Sequence, residues 1–363
     1  MKSIGIIIAS FVIYVCCSAQ ELNDNPMKTP LDSAVDRSAK LYLSKTGRVG
    51  ISIGVIHNQH HYRYNYGQTA PASGQLTRSN SVYEIGSITK TFTGLLVAHA
   101  IGEGKMKLEE DIRKYLPGNF PGLHYPSGEP VRVGYLLSHT AMFPNSFTGG
   151  DISASMTEAY FLEQLQQLKL DSLKTLKYAY SNVGYQLLAY ALEHIYQVDY
   201  ETLVKRYITT PLRMTNTFVH PAPSKNATVL DGYTPTGEKA LPVPASFPGA
   251  GGLHSCIDDM LKYADYQLAE KDAAVKLTHR VIYGNVEQDA VGFQWSIGRT
   301  RNWDYYIRID GGTNGFRSFC SLYPNEQIAI ILLTNEKDDQ AGGDLYRVTT
   351  SILKTLKSSY PGR

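Results

Sequence analysis

Ser87 and Lys90 stand three residues apart in Ser87-Ile-Thr-Lys90, after Gly86 and ahead of Phe92, Leu95, Leu96 and Ile101 at roughly helical spacing. Residues i and i+3 share a helix face, so the Lys90 amine reaches the Ser87 hydroxyl. A free serine hydroxyl is a poor nucleophile, and a partly desolvated lysine with a lowered pKa takes its proton. A helix start also offers free N–H groups to developing negative charge. Taken alone, S-x-x-K equally fits an ordinary amphipathic helix.

Two further stretches carry chemistry. Tyr180-Ser181-Asn182 opens an expected helix over 182–196. A phenol near a lysine holds or relays a proton, and an asparagine amide donates to a substrate carbonyl and steadies the lysine. Alone this is weak, because the chain has 26 tyrosines and asparagine is a common cap. Ile309-Asp310-Gly311-Gly312-Thr313-Asn314-Gly315-Phe316 leaves one expected strand and enters another. Its glycines let the backbone approach a ligand, so that a main-chain N–H faces an acyl oxygen.

Other patterns resemble sites and read as structure. Gly50-Ile-Ser52-Ile-Gly54 matches G-x-S-x-G, a motif that needs a strand, a sharp turn and a helix. Here apolar residues continue into Val55 and Ile56 and a second strand follows, so Ser52 is a strand residue. His57, His60 and His61 gather at a hairpin tip with no H-E-x-x-H or cysteine cluster, and neither a metal nor another cofactor is expected. His139, in Leu136-Leu-Ser-His-Thr140, reads as a hydrogen-bonded core histidine.

The elements that position these residues follow from pattern. Residues 31–44 read as a docking helix, 49–56 and 61–66 as a hairpin, and 108–117, 133–140, 158–168 and 182–196 as helical. Ser255-Cys-Ile-Asp258 reads as a capping box opening another helix. Strands are expected over 293–298, 303–309, 316–323 and 327–334, then a helix over 345–356. The stretches 142–155 and 220–252 read as long loops, which often wall a site. This order predicts an α/β (α+β) chain: an antiparallel sheet from both chain ends flanked by helices, with a large, mostly helical insertion and a groove at the junction. The expected division is 20–86 with 270–363 for the sheet-containing domain and 87–269 for the helical one.

The chain has 363 residues, 43% hydrophobic and 19% charged, enough for a sizeable core. A net charge of +2 argues against nucleic acid or an anionic membrane surface as a main partner. Residues 1–19 carry Lys2, an apolar run over 4–15 and a small-residue end at Ala19, the pattern of a secretory signal too short to span a membrane. Secretion or a periplasmic location is expected, with lipidation at Cys16 or Cys17 as the rival. Cys256 and Cys320 remain, too few for a disulfide scaffold and read as unpaired core thiols.

In this order the three stretches resemble the serine β-lactamase and penicillin-binding-protein superfamily, specifically its class C β-lactamase and serine-esterase branch. Ser87-Ile-Thr-Lys90 is similar to its S-x-x-K, Tyr180-Ser-Asn182 to its Y-x-N, and residues 309–311 stand in the place of its K-T-G or H-x-G. The stretches at 136–140, 251–260 and 312–316 resemble the family too. The resemblance implies Ser87 as acylated nucleophile, Lys90 as proton acceptor and Tyr180 as proton shuttle. It implies that Asn182, Gly311, Gly312, Thr313 and Asn314 bind substrate, with an oxyanion hole from the N–H groups of Ser87 and Gly312. The family's cation at the third motif, which helps bind a substrate carboxylate, is Ile309 here. A cofactor-free serine hydrolase acting on a small ester or amide acyl donor is therefore expected. The alternatives are an acyltransferase with an alcohol acceptor, a β-lactamase or D-Ala-D-Ala peptidase, and a non-catalytic penicillin-binding sensor.

Overall fold

The computed structural model describes residues 22–147, 157–171, 175–244, 246–302 and 304–359. The expected signal over 1–19 with Cys16 and Cys17, part of the 142–155 loop, and Trp303 lie outside the described residues.

Helix α1 (Pro30–Leu43) and the hairpin β1 (Gly50–His57) and β2 (His60–Gly67) come first. Strand β3 (Tyr83–Glu84) leads into a helical block of α2 (Thr89–Gly102), α3 (Val133–Leu137), α4 (Glu158–Gln167), α5 (Asn182–Tyr196), α6 (Tyr200–Val204) and α7 (Pro248–Gly251). Strand β4 (His254–Ser255) returns to pair with β3. Helices α8 (Ile257–Ala269) and α9 (Ala273–Thr278) precede β5 (Tyr283–Asn285), β6 (Asp289–Val291), β7 (Ser296–Arg299), β8 (Tyr305–Gly312), β9 (Arg317–Tyr323) and β10 (Ile328–Thr334), and α10 (Ala341–Ser359) closes the described chain.

Among the described residues the large sheet runs β2-β1-β10-β9-β8-β7-β6-β5, antiparallel throughout. The two chain ends meet where β1 pairs β10, from Ile51↔Thr334 to His57↔Ile328. Both strands are buried at every position, because helices cover both faces and leave no solvent side to alternate toward. Ile51, Ile53, Val55, Ile330 and Leu332 pack with Leu31, Val35, Val348 and Ile352 of α1 and α10. The opposite face carries Ile331, Leu333, Cys320 and Leu322 into a second core continuous with Phe92, Leu95 and Leu188 of the helical block. Helix α8, which falls within residues 87–269, packs on β1 and β10.

Local chemistry accounts for the element ends. Thr29 caps α1 by accepting from the Asp32 N–H at 3.0 Å while Asp32 accepts from the Thr29 N–H at 2.9 Å, a reciprocal box with Pro30 in the first turn. Helix α5 starts where Ser181 accepts from the Gly184 N–H at 3.0 Å, and ends at Gln197 in the left-handed region. Helix α2 is buried on nearly every side, as a helix inside a core must be.

Several expectations are corrected. The 255–258 capping box does not form: Ser255 is held in β4 opposite Tyr83, and its hydroxyl bonds Thr217 Oγ1 at 2.8 Å. Cys256 takes the cap position with no side-chain bond, and Asp258 instead meets Arg63 at 2.5 Å. Residues 108–117 hold only the 3-10 turn Ile112–Tyr115. Strand β7 begins at Ser296, since Phe293 and Trp295 are turned into the core. Strands β5 and β6 have three residues each, too few to show an alternating pattern. Ser52 is a buried strand residue, bonded at 2.8 Å to both Asn65 Oδ1 and the Tyr83 hydroxyl. Cys256 and Cys320 are free and buried. No helix among the described residues is long and apolar enough to cross a membrane.

Candidate active site

Gly86 begins the 3-10 turn Gly86–Ile88 that runs into α2. Its φ of +51° lies in the left-handed region, and a β-carbon there would stand 2.5 Å from the Gly312 nitrogen. Only glycine allows this approach, and the approach brings the Ser87 turn onto the end of β8. Among the described residues β7 pairs with β8 only from Tyr305 to Arg308, so the β8 edge from Ile309 onward borders a cleft.

Lys90, the second residue of α2, is completely buried. Its Nζ lies 3.0 Å from Ser87 Oγ, 2.7 Å from Asn182 Oδ1 and 2.5 Å from the Ala250 carbonyl oxygen. A neutral amine has two N–H donors and a lone pair. Asn182 and Ala250 take the two donors, leaving the lone pair for the Ser87 hydroxyl. The Tyr180 hydroxyl stands 2.5 Å from Ser87 Oγ on the other side, with Lys90 Nζ 4.9 Å from the Tyr180 ring centre. Burial holds Lys90 well below the ordinary lysine value, partly offset by the Asp310 carboxylate. Burial pushes Tyr180 well above the ordinary phenol, against the Ser87 bond that favours its ionised form. The lysine is therefore the readier base, and the tyrosine keeps its proton.

The N-terminus of α5 is held from behind. His139 Nδ1 accepts from the Ser181 N–H at 3.1 Å, so its Nε2–H donates to Gln294 Oε1 at 2.6 Å. Burial and the nearby Lys90 depress the imidazole to about 3, which keeps it neutral. The ring centre lies 4.5 Å from that of Tyr180. Asn182 Nδ2 donates to Asn145 Oδ1 at 2.9 Å.

Two lobes meet at Ser87, Asn182, Gly312 and Arg317. The larger, about 780 Å³, is lined by Tyr178, Tyr180, Tyr283, Asp289, Ile309 and Asp310 among others. The smaller, about 170 Å³, is lined by Asn145, Val243, Gly251, Thr313, Asn314 and Lys337 among others. Ser87, Lys90, Tyr180, Asn182 and Gly312 thus converge. Thr313 and Asn314 face the smaller lobe, and Gly311 lies behind, close to the Ile85 carbonyl and the Ser87 nitrogen. Ile309 is buried and brings no charge. Arg308, on the same strand face as Asp310, lines the larger lobe and lies over the Tyr306 and Tyr346 rings, 4.1 and 5.3 Å from their centres. Arg317 packs against Gly312. Asn145, Ala250 and Gln294 carried no sequence signal of a role here.

These features place a serine hydroxyl between an amine and a phenol, beside a glycine-lined strand. A family model described as Beta-lactamase matches residues 31–353, and the chain belongs to that family, as a serine hydrolase of the serine β-lactamase and penicillin-binding-protein superfamily. It is 25% identical over 327 residues to the D-alanyl-D-alanine-carboxypeptidase/endopeptidase AmpH of Escherichia coli, covering 83% of each chain. It is 21% identical to a β-lactamase of Psychrobacter immobilis, over 92% of this chain and 89% of that one. The solved β-lactamase/D-alanine carboxypeptidase of Pseudomonas syringae shares the fold with a TM-score of 0.77 at 20% identity, over 90% of this chain and 99% of that one.

Proposed function

We propose that this protein hydrolyses an ester or amide through an acyl-enzyme on Ser87. Neutral Lys90 takes the Ser87 proton as Oγ bonds the substrate carbonyl carbon, and the resulting oxyanion rests on the N–H groups of Ser87 and Gly312. The bond to the leaving group then breaks, and the departing atom takes the proton relayed through Tyr180. Water attacks the acyl-enzyme, gives its proton back to the Tyr180–Lys90 pair, and Ser87 regains a proton as the acid leaves. An alcohol in place of water would make the same cycle an acyl transfer. The carrying observation is Ser87 Oγ held 3.0 Å from Lys90 Nζ and 2.5 Å from the Tyr180 hydroxyl at the meeting of two lobes. The signal pattern of residues 1–19 supports an exported protein.

Whole-protein mass after incubation with a fluorophosphonate, with p-nitrophenyl ester turnover measured in parallel, tests this. One adduct and steady turnover are expected, both lost in Ser87→Ala. Labelling that survives Ser87→Ala sinks the proposal, and labelling without turnover favours the sensor. The names of AmpH and of the Psychrobacter relative favour a second reading, a D-Ala-D-Ala carboxypeptidase or β-lactamase. Ile309 stands against it.

A further inference from the structure

We propose that the larger lobe receives the leaving group and that Asp310 selects leaving groups bearing a positive charge. This rests on the acyl-enzyme reading and adds a substrate class to it. Two groups lie within hydrogen-bond distance of Ser87 Oγ, the Tyr180 hydroxyl and Lys90 Nζ, and of these the phenol borders the cleft and can hand a proton to the departing atom. Tyr180 lines the larger lobe and is not among the residues of the smaller one. The alcohol, thiol or amine therefore departs on the Tyr180 side. The acyl part lies across Gly312, toward Asn145, Asn314 and Lys337.

The larger lobe has the chemistry of a cation site. Asp310 is exposed on the free edge of β8 and forms no ion pair among the described residues. The rings of Tyr178 and Tyr283 share the lobe with it, and aromatic faces beside a carboxylate attract ammonium groups. Asp289 adds a second carboxylate, which accepts from the Tyr306 hydroxyl at 3.2 Å. Arg308 and Arg317 also line the lobe, but each guanidinium is already held, Arg308 over the Tyr306 and Tyr346 rings and Arg317 against Gly312 where the lobes divide, whereas the Asp310 carboxylate is not. Asp310 also acts on the reacting groups themselves, raising both Lys90 and Tyr180. A leaving group with a carboxylate would meet Asp310, the aliphatic Ile309 and two guanidinium groups already held against other groups. One with an ammonium would meet a counter-charge and two rings.

The test compares acetylthiocholine with the thioacetate in which tert-butyl replaces trimethylammonium, and with S-acetyl mercaptopropionate, on the full protein. In each, Ser87 Oγ bonds the acetyl carbon, the carbon–sulfur bond breaks, and the sulfur carries off the relayed proton for detection as thiol. The expected kcat/KM ratio of cationic to neutral thioester is roughly tenfold. It should collapse toward unity in Asp310→Asn and fall below unity in Asp310→Lys. A ratio near one in the wild-type protein, a ratio unmoved by Asp310→Asn, or a preference for the anionic thioester overturns the inference. So does absence of acetylthiocholine turnover while the fluorophosphonate still labels Ser87. Those outcomes leave the acyl-enzyme reading standing, whereas loss of Ser87 labelling removes both.

Discussion

Lys90 is the residue on which a pH profile should report. Its burial favours the neutral amine, and only that form accepts the Ser87 proton, so kcat/KM should rise as pH climbs through the Lys90 pKa. That limb should lie well below ~10.4, the value of a free lysine. The Asp310 carboxylate stabilises the ammonium form, so Asp310→Asn should move the limb to lower pH. A pH–rate profile with a neutral ester checks this, and a limb that stays put or moves upward contradicts the assignment of base. Ile309 supplies a second prediction at this scale. Ile309→Lys restores a cation at the third motif and should raise turnover of carboxylate-bearing substrates by about tenfold, the order of one new charge contact in a partly exposed cleft. Unchanged β-lactam hydrolysis would show that the missing cation is not what limits it.

Secondary-structure elements place these residues through a few close approaches. Gly86→Ala adds a β-carbon 2.5 Å from the nitrogen and 2.8 Å from the oxygen of Gly312, at a φ of +51°, so the Ser87 turn and β8 must separate. Losing one oxyanion donor typically lowers kcat by ~10²–10³, and a fall of that order is expected for p-nitrophenyl ester turnover with helical circular dichroism retained. Undiminished kcat would mean that Gly312 takes no part. How much of this was legible in the sequence depends on what each residue contributes. Ser87, Lys90, Tyr180 and Asn182 have reactive side chains at helix-start spacings, so they stand out in one dimension. The Ala250 carbonyl is a main-chain group whose acceptor role depends on where α7 packs. Gln294 became visible only once His139 turned its Nε2 toward it. The exposure of Asp310 in the cleft depends on β7 ceasing to pair at Arg308, and a strand's partner is not written in its own residues. The short β5 and β6 were missed for the same reason, their stability coming from the sheet they extend.

At the scale of the whole molecule, the reactive groups come from segments far apart in sequence, and one core joins them. Phe92 of α2 stacks on Tyr263 of α8, with ring centres 4.1 Å apart and planes 10° from parallel. The Tyr263 hydroxyl bonds Thr91 Oγ1 at 2.9 Å, and α8 in turn covers β1 and β10. The helix that carries Lys90 is thereby fastened to the strands that join the two chain ends. Phe92→Ala should remove about 3–5 kcal/mol of stability, a loss shared by sheet and helical block because the same core cluster runs through both. Denaturant unfolding of this variant, followed by far-UV circular dichroism and by fluorophosphonate labelling of Ser87, should then give coincident transitions shifted together to lower denaturant. Labelling lost well before the circular dichroism signal would mean that the helical block opens by itself. In that case the Ser87–Lys90–Tyr180 geometry would depend on local packing within the block instead of on its attachment to the sheet.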